Sequence, residues 1–143
     1  MEDASPARLY CLLVGAVLVI AGIIGFFYEA SFATGDSIRT HDVFGVLSVN
    51  GWHNLVHILA GVLGLLAYGA GAYAARTYAM TMGVLFLTLA VWGFVVGDGD
   101  SVLSIIPVNT EDNILHLLLG VAGLGAALAT PAEARASAPP AAA

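Results

Sequence analysis

Histidine and aspartate side chains recur at helical spacing at two places in the chain. His53 and His57 are four residues apart, and so are Asp112 and His116. Residues four apart lie on one face of a helix, so each pair can present two ligands to the same ion. Imidazole and carboxylate groups are ligands for first-row transition metals. If the two helices face each other, the three imidazoles and the carboxylate form one predicted metal site.

Two other functions are open to the same histidines. His57 and His116 can serve as the two axial ligands of a haem, with the glycines that follow them making room for the macrocycle. Histidines inside a membrane can also titrate and take part in proton-coupled transport. Transport needs a polar path, however, and no carboxylate lies within any apolar run of this chain. The cofactor therefore stays open between a metal, a haem and none at all.

A structural role explains the neighbouring asparagines. Asn54 and Asn113 stand where the two helices are expected to begin, and asparagine is among the best helix N-caps. Asn50 and Asn109 lie one turn earlier, in the preceding loops, where they and the loop carbonyls can accept hydrogen bonds from the histidines. These four asparagines are therefore predicted to be structural caps. Capping also accounts for the occurrence of the motif in two copies.

The composition indicates that membrane-spanning helices hold these residues. Of the 143 residues, 59% are hydrophobic and 10% are charged, and the mean hydropathy is +0.92. A soluble domain has about 25% charged residues, so this chain has too few to cover a surface in water. The net charge of −6 argues against a nucleic-acid partner, because phosphates are bound by clustered cations.

Four uncharged apolar runs approach the ~20 residues that a helix needs to cross the hydrocarbon core. Arg76 alone separates the second run from the third, which predicts a tight helical hairpin. We expect an all-α transmembrane domain over residues 9–130, between a disordered head (1–8) and a disordered tail (131–143). The predicted spans are Leu9–Tyr28, Leu55–Ala75, Thr77–Val96 and Ile114–Thr130.

An internal repeat relates the two halves of the chain. Residues 49–65 and 108–124, at an offset of 59, are identical at nine of seventeen positions, including the two asparagines of each motif and the pair His57 and His116. The match continues less closely into 44–49 and 103–108, which are apolar stretches that can fold back onto the membrane ahead of each helix. Both copies run in the same direction, so we predict a two-fold parallel repeat of helix pairs.

With these motifs the chain resembles a family of small bacterial four-span membrane proteins of unknown function, the domain of unknown function 4383 family. The resemblance rests on a valine–asparagine pair followed by Asn-x-x-His-x-x-x-Gly at the head of a helix, and it covers most of residues 9–130. The two copies run from Val49 to Gly61 and from Pro107 to Gly120. The resemblance implies the fold and a bacterial membrane, and it implies no activity.

The arginines predict the orientation in the membrane. Arg8, Arg76 and Arg135 fall on one side of a four-span arrangement, and Arg39 falls on the other side with most of the acidic residues. By the positive-inside rule, both termini of this multi-pass protein are cytoplasmic and the inner membrane is its location.

The sequence favours a non-enzymatic function. It contains no nucleophile–base pair, phosphate-binding loop or nucleotide fingerprint, so no catalytic residue is assigned. We expect a small integral membrane protein with a structural or accessory role, which associates with itself or with a larger membrane complex. The alternative is a membrane protein that binds a transition metal or haem through His57 and His116.

Overall fold

Four long helices form the protein, and they pack in two pairs. The structure is a computed structural model that describes residues 5–132. Within that range, all four α-helices are long and apolar enough to cross a membrane. The first helix packs chiefly against the second, and the third against the fourth. The predicted all-α, four-span fold is confirmed, and the chain is a multi-pass membrane protein. The helices are α1 (Pro6–Phe26), α2 (Gly51–Ala70), α3 (Ala72–Val96) and α4 (Thr110–Ala129).

A short antiparallel β-hairpin precedes each of α2 and α4. Each hairpin turns through two residues with positive φ, namely Phe44 and Gly45 in the first and Leu103 and Ser104 in the second. Positive φ at two successive turn residues gives a backbone twist that matches the twist of paired strands. The apolar stretches that the repeat placed before each helix thus form hairpins, which the sequence pattern did not predict. The strands are β1 (His41–Val43), β2 (Leu47–Val49), β3 (Ser101–Val102) and β4 (Ile106–Pro107).

The helices α2 and α4 begin four residues before the predicted spans. Asn50 caps α2 and Asn109 caps α4, because each side-chain Oδ1 accepts the backbone N–H three residues later, at 2.9 and 2.8 Å. Asn54 and Asn113 lie inside the helices, so the prediction that they are N-caps is wrong. The helices can start earlier because their first N–H groups have acceptors in the loops. The N–H of Gly51 donates to a carbonyl at 2.8 Å, and that of Thr110 donates to Oδ1 of Asp98 at 2.9 Å, which leaves the cap position to the first asparagine of each motif.

The other predicted boundaries also shift. The break between α2 and α3 is at Gly71, whose φ of 105° suits glycine, and not at Arg76, which lies within α3. Residues 6–8 of the predicted head belong to α1. The rest of the disorder prediction, for residues 1–4 and 133–143, lies outside the described part of the chain.

Tyrosine contacts show that α1 and α3 are also equivalent. The Tyr10 hydroxyl donates to the carbonyl of Leu119 at 3.1 Å, and the Tyr78 hydroxyl donates to that of Ala60 at 2.8 Å. The two tyrosines are 68 residues apart, whereas the two acceptors are 59 apart. Equivalent positions on the two helices of a pair are therefore nine residues further apart in the first half, which is the difference between these two offsets.

Arginines close the end of the bundle opposite the hairpins. Arg8 and Arg76, again 68 residues apart, donate through Nε to carbonyls in the last turns of α2 and α4, at 3.2 and 3.1 Å. A cation there meets the orphan carbonyls and the negative end of the helix dipole. The shared Ala-Arg-x-Tyr at 7–10 and 75–78 is the sequence signal for this equivalence, and the offset-59 comparison missed it.

Candidate metal centre

Asn50 and Asn109 tie each helix start to the hairpin of the other half. The Asn50 Nδ2 donates to the carbonyl of Ile105 at 2.7 Å, and the Asn109 Nδ2 donates to that of Val46 at 2.6 Å. Both Oδ1 atoms already accept from their own helices. Each side-chain amide thus makes one hydrogen bond within its own half and one to the hairpin of the other half. These bonds hold the two hairpins over the first turns of α2 and α4.

One turn deeper, Asn54 and Asn113 fasten the helices within each pair. The Asn54 Nδ2 donates at 2.8 Å to a carbonyl just after the end of α1. Its Oδ1 lies where a Cβ on Gly25 would be, and the Oδ1 of Asn113 lies in the same place at Gly93. Glycine is therefore required at both positions. These contacts set the rotation of α2 and α4, and so the direction in which their histidines point.

His53, His57 and His116 converge beneath the hairpins. One ring nitrogen from each of the three lies within 4.8 Å of the other two. The ring centroid of His53 is 4.3 Å from that of His57 and 6.2 Å from that of His116. His53 and His116 are only 2% and 5% exposed. The structure thus brings together three of the four side chains that the sequence proposed as metal ligands.

The first hairpin sets the position of the proton on His53. The Nδ1 of His53 lies 2.9 Å from the carbonyl oxygen of Ser48. A carbonyl only accepts hydrogen bonds, so Nδ1 carries the proton and Nε2 keeps a free lone pair. Histidines that bind metals are commonly oriented by such a bond from their second nitrogen.

Asp112, the fourth proposed ligand, binds the first hairpin and does not join the three histidines. Its Oδ2 accepts the backbone N–H of Ser48 at 2.9 Å. His53 and Asp112 occupy equivalent positions in the two halves, and both bind the same residue of β2. Among the described residues, the converging group contains the three histidines and not this carboxylate. Asp112 therefore orients the strand that in turn orients His53.

His116 lacks a partner for one of its nitrogens. Its ring stacks on Phe86, with centroids 5.4 Å apart and planes 18° apart. Its buried Nδ1 has no hydrogen-bond partner among the described residues. An unpartnered buried polar atom costs about 1–3 kcal/mol. An ion or a bound molecule in contact with this ring can supply the missing interaction.

The glycines after the histidines do not open space for a haem. A Cβ on Gly61 would lie 2.6 Å from the carbonyl oxygen of Gly15, and one on Gly120 would lie 2.7 Å from Cγ of Leu87. These glycines let α1 pack closely on α2, and α3 on α4, as small residues do in membrane helices. The glycines therefore do not provide the space that the haem interpretation assigned to them.

Two cavities flank the histidines, one in each half. The first cavity, about 300 Å³, lies between α1, α4 and the first hairpin. The second cavity, about 50 Å³, lies between α2, α3 and the second hairpin. Their lining positions correspond at offsets of 59 and 68, and His57 and His116 line both. The second is smaller where Phe86 and Leu89 replace Leu18 and Ala21.

A comparison with protein families identifies the chain. The model described as Domain of unknown function (DUF4383) matches residues 8–129, which include all four helices except the first two residues of α1. The chain belongs to this family. Neither the curated proteins nor the solved structures contain a significant match.

The three histidines of this DUF4383 protein can hold one ion and leave a further coordination position free. Ligand nitrogens at 2.0–2.1 Å from a tetrahedral zinc are about 3.3 Å apart. The widest nitrogen pair, 4.8 Å apart, has to close by about 1.5 Å on that geometry. Binding of an ion therefore requires the imidazole side chains to move together by about that amount.

Proposed function

We propose that this membrane protein binds one first-row transition-metal ion through His53, His57 and His116. The observation that carries the proposal is the convergence of one ring nitrogen from each of three histidines within 4.8 Å, with His53 and His116 buried. Two further contacts support it. The bond from Ser48 leaves Nε2 of His53 available as a ligand, and the Nδ1 of His116 has no protein partner in the described range.

The donor set favours ions that accept imidazole ligands. Three neutral nitrogens with an open position suit zinc, copper, nickel or ferrous iron, in contrast to the oxygen sites of calcium and magnesium. The single cysteine, Cys11, does not contribute, because its thiol donates to the carbonyl of Ala75 at 3.5 Å and lies near the arginine-bearing end. Asp112 contributes by position, because its Oδ2 accepts the N–H of Ser48, the residue whose carbonyl orients His53.

An ion at this place ties the two halves together. His53 and His57 belong to α2, whereas His116 belongs to α4, so coordination links the two helix pairs across the bundle. We propose that the protein has an accessory role based on this link, as an oligomer or in a larger membrane complex. Native co-purification with analysis of the associated chains tests that part. Recovery of the chain only as a monomer would contradict association.

We propose that the protein lies in the bacterial inner membrane with both termini cytoplasmic. Arg8 and Arg76 lie at one end of the bundle and the acidic hairpin loops lie at the other, which supports this orientation by the positive-inside rule. The metal centre then lies near the outer face. A cysteine introduced at exposed Ser37 should react with an impermeant maleimide added to intact spheroplasts, and protection until lysis would contradict the orientation.

Metal analysis of the purified protein tests the proposed site. We expect close to one transition-metal ion per chain in the wild type, and loss of that ion from His57→Ala/His116→Ala. The fourth histidine provides a matched control, because His41 is exposed on the first hairpin and outside the cluster. His41→Ala should keep the ion. Equal metal content in the wild type and the double variant would overturn the proposal.

The double variant also has to be shown to fold. Its circular dichroism and elution volume in detergent should match those of the wild type. If it does not fold, His116→Gln offers a second variant that keeps the size and polarity of the site. Metal retained at the wild-type level in a folded His116→Gln protein, together with retention in His53→Ala, would contradict a three-histidine site.

A further inference from the structure

The first cavity has the size and the lining residues of a site that binds small molecules. Its volume of about 300 Å³ lies at the lower end of the range for ligand pockets, about 300–1,000 Å³. Apolar side chains from α1, α4 and the first hairpin form most of its lining, and His57, Asp112 and His116 are its polar members. Apolar walls with a few convergent polar groups are typical of sites that bind small molecules.

The equivalent space in the other half is filled by protein. Phe86 and Leu89 occupy the positions that correspond to Leu18 and Ala21, and the second cavity has only about 50 Å³. The same fold can therefore close this space with two larger side chains. The side chains around an empty apolar space lose packing contacts. The first cavity therefore lowers the stability of the protein unless a molecule occupies it.

The first cavity adjoins the surface that faces lipid. Val17 and Ile20 on α1 and Leu115 on α4 line it, and they are 59%, 56% and 39% exposed. These residues lie within helices that cross the membrane, so a molecule reaches the cavity from the hydrocarbon phase. Such a molecule is mostly apolar and uncharged. A plain acyl chain leaves the imidazoles without a hydrogen-bond partner, whereas a ring that carries oxygen atoms can supply one.

We propose that the first cavity binds a membrane quinone, an uncharged ring with carbonyl or hydroxyl oxygens on an apolar tail. The ring lies in the cavity with an oxygen against the imidazoles of His57 and His116. The tail leaves between α1 and α4 into the lipid. Binding alone is inferred, and it does not require the proposed metal ion, because the apolar walls belong to α1, α4 and the first hairpin. Since His57 and His116 are also proposed as metal ligands, binding is measured on the metal-free protein.

Binding of a radiolabelled short-chain benzoquinone to the protein in phosphatidylcholine nanodiscs tests this inference. We expect one saturable site per chain, which is absent from empty nanodiscs and from which an unlabelled short-chain naphthoquinone displaces the label. Leu18→Phe/Ala21→Leu copies the second half into the first and fills the cavity. This variant should bind at least ten times more weakly and keep its metal content, since the histidines are unchanged.

A matched variant controls for altered lipid contact. Leu13→Phe/Ala16→Leu makes the same two substitutions at the same spacing on α1, away from the cavity lining, and it should bind like the wild type. Undiminished binding in the folded Leu18→Phe/Ala21→Leu protein would overturn the proposal. Displacement of the label by a fatty acid and not by the naphthoquinone would show an acyl-chain site, which also overturns it.

The reverse exchange gives a second, independent measurement. Phe86→Leu/Leu89→Ala copies the first half into the second and enlarges the second cavity. The binding stoichiometry should rise from one quinone per chain towards two, provided that the variant keeps its circular dichroism spectrum. A stoichiometry that stays at one would contradict the role given to these side chains in keeping the second half closed.

Discussion

The two halves of the molecule share their structural contacts and differ around the histidines. Asn50 and Asn109 make the same pair of hydrogen bonds, and Asn54 and Asn113 approach the same glycine position on the partner helix. The tyrosines and arginines at offset 68 repeat this agreement. At the centre, however, His53 corresponds to Asp112, and the cavity beside it is open in one half and closed in the other.

This difference separates the residues that maintain the fold from those that form the site. The repeated contacts satisfy backbone groups at helix ends, which every helix pair in lipid needs. The positions that differ between the halves do not satisfy backbone groups at helix ends, since the same scaffold accepts either residue type there. Duplication thus supplied two copies of one helix pair, and the second copy of each site position was able to change.

The largest expected difference lies between His53 and Asp112. A residue that orients a metal ligand without binding the metal itself contributes about 10- to 100-fold to the metal affinity, and a direct ligand contributes more. His53→Ala should therefore weaken binding of zinc by more than about 100-fold, and Asp112→Asn by about 10-fold. Competition with a chromophoric chelator measures both affinities. Equal losses in the two variants would contradict their unequal roles.

The glycine contacts should be equally important in both halves. Gly25→Ala and Gly93→Ala each place a Cβ on the Oδ1 of the facing asparagine, and overpacking of this kind costs about 1–3 kcal/mol. Reversible unfolding in mixed micelles of dodecyl maltoside and SDS measures the free energy. Gly125→Ala is the control, because a Cβ there meets no atom within 4 Å. A loss confined to one half would break the equivalence.

The crossing asparagine bonds should have a smaller effect. Asn50→Ser and Asn109→Ser keep a good N-cap and remove the donor to the hairpin of the other half. Each should lower the free energy of unfolding by about 1 kcal/mol, because one backbone carbonyl loses its partner. The corresponding alanine variants should lose about 1 kcal/mol more, with the cap. Serine variants as stable as the wild type would show that the crossing bonds contribute nothing.

The sequence predicted the frame of the molecule well. Uncharged runs of about 20 residues can only be satisfied as helices in lipid, and the paired Asn-x-x-His motifs revealed the repeat. The cap position was misplaced because Asn50 and Asn54 are one turn apart, and both suit a helix start. Which asparagine becomes the cap depends on where the loop contacts the helix start in the folded protein, and the sequence pattern does not contain that distance.

The site was predicted in part. Helical spacing brought His53, His57 and His116 into one hypothesis, and the structure assembles them. The hydrogen bond from the N–H of Ser48 to Asp112 depends on the first hairpin. The strands of that hairpin are too short to show an alternating pattern of apolar and polar residues, so the sequence did not predict it. The cavities were not predictable, because their size depends on the volumes of Leu18, Ala21, Phe86 and Leu89 at positions that match only at offset 68. Ala-Arg-x-Tyr could have revealed that offset.

The smallest predicted effect tests the equivalence of α1 and α3. Tyr10→Phe and Tyr78→Phe each remove one hydroxyl that donates to a helix carbonyl in the other half. Hydrogen bonds between membrane helices contribute about 0.6 kcal/mol on average, so both variants should lose about that amount in the same micelle assay. Losses that differ by more than about 1 kcal/mol would mean that the two contacts are not equivalent.

X-ray absorption at the zinc edge of the zinc-loaded protein tests the central claim most directly. Three histidine ligands predict a first shell of three nitrogens at about 2.0–2.1 Å together with the outer-shell scattering of imidazole rings. In His53→Ala the spectrum should fit two imidazoles, and in His41→Ala it should still fit three. A first shell of oxygens without imidazole scattering in the wild-type protein would contradict the assignment of a metal to His53, His57 and His116.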